Sequence, residues 1–254
     1  MAATTPEEQE LERLLLEQTA LQDAVASAEL ELETLMADIN RFRHSYNSTV
    51  GILYVEIDRL DAAIANARAG RKPESREAKI TAERAAKKAK ETERAAGVSQ
   101  QEPPPPPPPS MALKKAYRQA AKAMHPDMAT DEPEKERRHA YMTRLNVAYR
   151  AGNLAEVERV TLAFNNDPEA FSGHTIGEKI IKAIRRVAQL RRRLAEIDKE
   201  RLTAREDAMY VLAQKCAEVA DMGRDILAEL AAELMKVISE KKITLDHILT
   251  VNEA

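Results

Sequence analysis

Large apolar residues recur every three or four positions along the first seventy residues of the chain. They form one stripe of a predicted helix, made up of Leu11, Leu14, Leu21, Val25, Ala28, Leu32, Leu35, Ile39, Phe42 and Tyr46. After four extra residues the same spacing resumes with Val50, Leu53, Ile57, Leu60, Ile64 and Ala67. The pattern predicts one long helix over residues 7–69 that unwinds locally at the shift. The alternative is two helices that meet near residues 47–51.

The residues at both ends of this segment are suited to end a helix. The Thr5 side chain can cap the first turn, and Pro6 is compatible with the first helical position. Gly70 follows the last apolar residue of the stripe and is predicted to end the helix.

A second apolar stripe predicts another long helix over residues 175–240. Its first part consists of Ile180, Ile184, Val187, Leu190, Leu194 and Ile197. Its second part consists of Leu212, Cys216, Val219, Ile226, Leu230, Leu234 and Ile238. A weak, polar stretch at residues 199–207 separates the two parts.

The segment between the stripes is more polar. Residues 71–96 predict a helix that is either solvated or partly disordered. Seven consecutive prolines at 103–109 predict an extended spacer, with a proline-rich ligand for another protein as the alternative. Gly152 and Asn153 then predict the end of one helix and the cap of a short one over residues 154–164.

These patterns predict an all-α fold in which neither long helix can bury its stripe alone. The simplest closure is an antiparallel two-helix coiled coil that carries a small inserted helical hairpin, with segments 1–70, 71–110, 111–172 and 173–254. Antiparallel pairing would, however, place the acidic residues 7–33 against the acidic residues 218–240. This mismatch leaves a homodimer or a bent arrangement as alternatives.

Composition favours long helices over a thick globular core, because 32% of the residues are charged and only 4% are aromatic. A net charge of −3 does not favour a general nucleic-acid binder. Nucleic-acid binding through a run of arginines is the weaker reading, and this run consists of Arg185, Arg186, Arg191, Arg192 and Arg193. Neither a long apolar segment nor a signal peptide is evident, so we expect a cytoplasmic protein.

The sequence contains no phosphate-binding loop, no metal-ligand spacing and no motif around a nucleophile, so neither an enzyme nor a cofactor is expected. The single cysteine, Cys216, excludes an intrachain disulfide. Its place in the apolar stripe predicts a small buried hydrophobic residue rather than a reactive thiol.

The most specific pattern of the chain is a basic helix followed by a His-Pro-Asp turn. Residues 113–124 contain no acid and carry Lys114, Lys115, Arg118 and Lys122 around Tyr117. The tripeptide His125-Pro126-Asp127 follows, and a second helix ends in Leu145-Asn146-Val147-Ala148-Tyr149. Because Pro126 restricts its own backbone and that of His125, we predict a rigid and exposed loop.

This order of elements resembles the J-domain of DnaJ-type co-chaperones. The resemblance implies that His125, Pro126 and Asp127 dock against a DnaK-type ATPase and trigger ATP hydrolysis. It also implies that Lys114, Lys115, Arg118 and Lys122 meet an acidic patch on that partner. The long helices would then select a client protein or a cellular site.

The sequence departs from the J-domain pattern before the basic helix. The family has a further helix there, whereas this chain has Gln101, Glu102 and the seven prolines. That helix is missing or replaced by another part of the chain, and we expect the hairpin to lean on a neighbouring long helix. The alternative function is a non-catalytic scaffold or interaction protein with a degenerate J-domain.

Overall fold

The computed structural model describes residues 5–97, 105–129, 131–165 and 176–250. Throughout these ranges the regular structure is helical and contains no strand, which confirms the all-α prediction for the described residues. The chain divides into two compact units. The first comprises Met1–Ile39 and Pro105–Asp207, and the second comprises Asn40–Pro104 and Ala208–Ala254.

The first long helix is continuous, as predicted. It consists of α1 (Pro6–Tyr46), a π-helical turn (Asn47–Gly51) and α2 (Ile52–Arg71). The π-helical turn falls where the apolar repeat shifts, and Val50 within it is fully buried. A π-helical turn contains more residues than an α-helical turn, so it rotates the apolar stripe without ending the helix.

Both ends of this helix follow from local sequence. The hydroxyl of Thr5 accepts a hydrogen bond from the Glu8 amide at 3.3 Å, and the Glu8 carboxylate accepts one from the Thr5 amide at 2.8 Å. This reciprocal pair is a capping box. The helix ends at Arg71, one residue beyond the predicted Gly70. It stops there because Lys72 precedes Pro73, and the residue before a proline disfavours helical backbone.

In the second unit, the polar segment folds as α3 (Arg76–Ala95) and packs against α2. Ala82 and Ala89 are buried on its inner face. The buried Asp58 carboxylate of α2 accepts hydrogen bonds from Lys88 Nζ at 2.8 Å and Thr92 Oγ1 at 2.7 Å. This helix is therefore not wholly solvated, because its small residues and the ion pair of Lys88 with the buried Asp58 carboxylate join it to α2.

The prediction of one helix over residues 175–240 is wrong. The structure has α7 (Ile176–Arg205), α8 (Ala208–Ala220) and α9 (Ile226–Thr250) instead. The first break ends the weak polar stretch. At the second, Gly223 has a φ of 77°, which favours glycine, and Asp225 caps α9 by accepting a hydrogen bond from the Ala228 amide at 3.0 Å.

The antiparallel pairing is also wrong. In the first unit, α7 runs in the same direction as α1, because Arg191 pairs with Glu17 and Arg201 pairs with Glu31. The apolar contact between these helices consists of Val25, Ala28, Leu32, Leu190 and Ile197. Parallel packing places the acidic part of α1 beside the arginines of α7, which removes the charge mismatch of the antiparallel arrangement.

In the second unit, α9 likewise runs in the same direction as the long helix, here its part α2. Lys242 Nζ lies 3.2 Å from a carboxylate oxygen of Glu56, and Arg71 donates a hydrogen bond to the carbonyl of Ile248. Since both helices advance together between these contacts, α9 is parallel to α2. The antiparallel neighbour of α2 is α3, whose Glu93 pairs with Arg59 at 2.7 Å.

The hairpin region lies in the first unit. It contains α4 (Met111–Met124), a 3-10 turn (Pro126–Met128), α5 (Glu132–Arg150) and α6 (Leu154–Asn165). Gly152 has a φ of 68° between α5 and α6, and the Asn153 side chain caps α6 by accepting a hydrogen bond from the Glu156 amide at 3.0 Å. Both features were predicted. Pro103 and Pro104 lie outside the described residues, and Pro106 packs close to Gly152.

Candidate protein-binding site

Three residues that carried the J-domain resemblance form the contact between α4 and α5. Tyr117 and Tyr149 are almost fully buried, with ring centroids 4.6 Å apart. The Tyr117 hydroxyl donates a hydrogen bond to Asn146 Oδ1 at 2.9 Å. Burial, followed by the charges of Glu29 and Glu33, raises the pKa of Tyr117 well above its ordinary value. Tyr117 therefore stays neutral and acts as a structural residue.

The long helix α1 supports this hairpin, as predicted. Ala26 of α1 is buried in the same apolar core as Tyr117 and Tyr149. Thr34 Oγ1 and the Tyr149 hydroxyl share a hydrogen bond of 2.8 Å. Residues 105–110, directly before α4, form no helix, and α1 packs on the hairpin from elsewhere in the chain.

The turn after α4 is held by hydrogen bonds of its own residues. His125 Nδ1 accepts a hydrogen bond from the Asp127 amide at 3.2 Å, so the imidazole caps the turn. The amides of Met128 and Ala129 donate to the carbonyls of His125 and Pro126, both at 3.0 Å. Pro126 adds a restricted backbone angle. These bonds are consistent with the predicted rigidity of the loop.

The prediction that the loop exposes His125 is wrong. His125 is 5% exposed, and its Nε2 atom lies 3.7 Å from a carboxylate oxygen of Glu29, which is also buried. Arg193 of α7 donates a hydrogen bond to the same Glu29 oxygen at 2.9 Å. His125 is buried because α1 and α7 bring this pair of charged side chains against its ring. Pro126 and Asp127 remain partly exposed.

The surroundings of Glu29 determine its ionisation. Burial raises the pKa of the Glu29 carboxyl, but the contact with the His125 ring and the charge and hydrogen bond of Arg193 outweigh it. The pKa of Glu29 consequently lies below its ordinary value, so at neutral pH the group is an anion that faces the imidazole.

Two arginines bind backbone carbonyls on either side of the loop, one in the last turn of α4 and one at the end of the 3-10 turn. Arg138 of α5 donates a hydrogen bond to the Ala123 carbonyl at 2.9 Å, and Arg186 of α7 donates one to the Met128 carbonyl at 2.7 Å. Burial lowers the pKa of Arg186. The motif gave no signal for Glu29, Arg138, Arg186 or Arg193. Only the opposite net charges of residues 1–70 and 177–205 indicated that the two segments attract each other.

The predicted basic residues of α4 are divided between two environments. Lys115 and Arg118 are exposed and Lys114 is partly exposed. Lys122 lies closer to α1, where its Nζ is 2.8 Å from a carboxylate oxygen of Asp23. The spacing of these residues places them along one side of α4. This surface can attract an acidic partner, because three of the four predicted cations are at least partly exposed and form no ion pair with α1 in the described structure.

Three of the five arginines in the alternative nucleic-acid cluster form contacts within the first unit. Arg191 and Arg193 pair with Glu17 and Glu29, and Arg186 binds the loop carbonyl. Through these contacts the arginines join α7 to α1 and to the loop.

Cys216 is half-buried rather than buried. Its burial, followed by the charge of Asp225, raises the pKa of its thiol, which lowers the fraction of reactive thiolate.

The described residues contain no group of histidine, cysteine or acidic side chains that is arranged to hold a metal ion. Among the helices described, none combines the length and the apolar character needed to cross a membrane.

No protein-family model, curated protein or solved structure matches this chain. The J-domain resemblance therefore depends on the residues of the loop and of the two helices that flank it.

Proposed function

We propose that this protein is a J-domain-like co-chaperone or adaptor that docks on a DnaK-type chaperone and stimulates its ATPase. The observation that carries this proposal is the arrangement of the loop. A helix with outward cations enters a rigid His-Pro-Asp turn, and a second helix, packed on the first through Tyr117 and Tyr149, leaves it. The long helices would select the client or the cellular site.

Asp127 and the basic side of α4 are the groups that a partner can reach first. The Asp127 side chain is 23% exposed, and an ionised carboxylate can accept hydrogen bonds from an arginine of the partner. The exposed cations Lys115 and Arg118 speed association with an acidic surface and make it sensitive to salt.

The direct experiment measures ATP hydrolysis by a bacterial DnaK-type chaperone with and without the full-length chain. We expect stimulation by the wild type and its loss in Asp127→Asn and His125→Gln. The matched control is His139→Gln, because His139 is exposed on α5 and outside the loop. Urea unfolding of each variant is measured in parallel, since His125 is buried and its replacement is expected to reduce stability. Absence of stimulation by the wild type and by every variant that makes His125 accessible would refute the proposal.

A charge-reversal experiment tests the role of the basic helix. Lys114, Lys115 and Arg118 are replaced by Glu, and Lys122 is left unchanged because it pairs with Asp23. We expect weaker chaperone binding at low salt and a smaller difference near 1 M salt, where the screening length is about 3 Å. The control reverses three exposed cations of α3 (Lys79, Arg84 and Lys90), which gives the same change in net charge. Equal loss in both variants would argue against docking through α4.

The second candidate function is a scaffold or interaction protein with a degenerate J-domain. The burial of His125 favours it, because a partner cannot contact a residue that is 5% exposed. The same ATPase assay separates the two functions, since a scaffold would bind other proteins without stimulating hydrolysis.

A further inference from the structure

We propose that the structure represents a closed state of the loop, in which α1 and α7 withhold His125 through the Glu29–Arg193 pair. This inference rests on the proposed function, because it concerns the regulation of the same docking site. In the open state α7 moves away from the loop, Glu29 releases His125, and the whole tripeptide becomes accessible to the chaperone.

The first argument is the place of Glu29 at the junction of three elements. Its carboxylate lies 3.7 Å from His125 Nε2, and Arg193 Nη2 lies 2.8 Å from the same oxygen. Because the histidine belongs to the loop, the glutamate to α1 and the arginine to α7, one side chain links all three elements. Removal of the Glu29 charge should therefore weaken the contact of the loop with both long helices.

The second argument is that further contacts of the same two helices close the loop. Arg186 of α7 binds the carbonyl of Met128, at the end of the turn. Asp23 of α1 binds Lys122, in the last turn of the basic helix. In the closed state, contacts within the protein therefore occupy His125 and also Lys122, one of the four cations expected to contact the partner.

The third argument is that the contact between α1 and α7 contains many ion pairs. Arg191, Arg193 and Arg201 each bind a glutamate of α1. The Arg191 side chain is largely exposed, whereas that of Glu29 is buried. Ion pairs that are exposed contribute little to stability. The buried pair next to the loop is therefore the one whose loss should have the largest effect on access to His125.

The test compares three full-length variants. Glu29→Gln removes the charge that faces His125 and keeps the shape of the side chain. Arg193→Gln weakens the same contact from α7 and serves if Glu29→Gln does not fold. Glu17→Gln is the matched control, because Glu17 also lies on α1 and pairs with an α7 arginine, while its ion pairs, with Arg13 and Arg191, lie outside the loop. Circular dichroism establishes that each variant retains its helices.

The first measurement is the rate at which diethyl pyrocarbonate modifies His125, determined by mass spectrometry relative to the exposed His139. We expect slow modification in the wild type and in Glu17→Gln. Both Glu29→Gln and Arg193→Gln weaken the charged hydrogen bond between Arg193 and Glu29. Its loss should raise the rate of His125 modification about tenfold. Rapid modification in the wild type, or an unchanged rate in every folded variant of the pair, would overturn the closed state.

The second measurement is stimulation of the DnaK-type ATPase by the same proteins. We expect greater stimulation by Glu29→Gln and Arg193→Gln than by the wild type and Glu17→Gln. A second outcome would refute the inference and leave the proposed function intact. In it, the wild type stimulates the ATPase and Asp127→Asn does not, and His125 becomes accessible in Glu29→Gln and Arg193→Gln. If these two variants nevertheless stimulate no more than the wild type, the closed state does not regulate docking. If no variant stimulates the ATPase, the proposed function fails with it.

Discussion

Arg150, the last residue of α5, binds both carboxylate oxygens of Glu33 on α1, with its Nε and Nη2 atoms at 2.6 and 2.9 Å. The Glu33 side chain is 5% exposed and the Arg150 side chain 52% exposed. This bidentate pair fixes the end of the hairpin to the long helix. Without the arginine, the buried carboxylate would lose both of these hydrogen bonds.

We predict that Glu33→Gln destabilises the first unit by about 1–2 kcal/mol, because a charged hydrogen-bond pair with one solvated partner is lost. Hydrogen exchange of the α5 and α6 amides measures this effect as faster opening. The control is Glu156→Gln, which breaks an exposed pair with Arg159 inside α6 and should change little. Equal effects of both substitutions would contradict the assigned role of Glu33.

Tyr117 offers a second prediction, on the core between α4 and α5. Tyr117→Phe removes only the hydrogen bond to Asn146 and should cost about 1 kcal/mol. Tyr117→Ala also leaves a cavity beside Tyr149 and should cost about 3–5 kcal/mol. Urea unfolding followed by circular dichroism measures both values. A small cost for Tyr117→Ala would show that this core does not hold the hairpin together.

Glu29 gives a prediction about pH. Its pKa is lowered in the folded state, so the unfolded state binds the proton more tightly and stability increases with pH. The contribution of Glu29 is fully present above its unfolded pKa of about 4.3 and is lost as pH falls through the lowered folded value. The stability difference between the wild type and Glu29→Gln should therefore shrink in acid. Urea midpoints from about pH 6 to about pH 3 test this, and a constant difference would contradict it.

The parallel direction of α1 and α7 can be tested by crosslinking. With Cys216 replaced by Ser, cysteine pairs are introduced at positions 17 and 191 or at positions 31 and 201. A short bismaleimide should join each pair within one chain. The swapped pairs, 17 with 201 and 31 with 191, should react poorly, because ten residues of helix separate the sites by about 15 Å. Preferential reaction of the swapped pairs would establish antiparallel packing.

Local patterns were sufficient to predict much of the secondary structure. The spacing of apolar residues predicted α1 and α2 as one helix, and the shift in that spacing fell on the π-helical turn. Thr5, Gly152 and Asn153 were identified as residues that begin or end helices, because a cap depends on neighbours only a few positions away. The residues around the His-Pro-Asp turn were placed on the correct helices for the same reason.

Three features of the protein could be established only from the tertiary structure. The apolar stripe did not reveal the breaks beside Asp207 and Gly223, since a period of three to four residues continues across a short turn. It also misplaced Ile184, which is exposed, whereas Ala183, Val187 and Leu190 are buried against their neighbours. Helix direction was undetermined, because an apolar stripe is equally complementary to parallel and antiparallel partners.

The sequence by itself determined that the described chain is all-α, that its first long helix is continuous and that a His-Pro-Asp turn follows a basic helix. Only the tertiary structure decided that His125 faces inward. Its burial depends on Glu29 and Arg193, which lie far from it in sequence and approach it because α1 and α7 pack in parallel. Local rules describe the backbone of a turn, but the exposure of a side chain depends on which distant helices cover it.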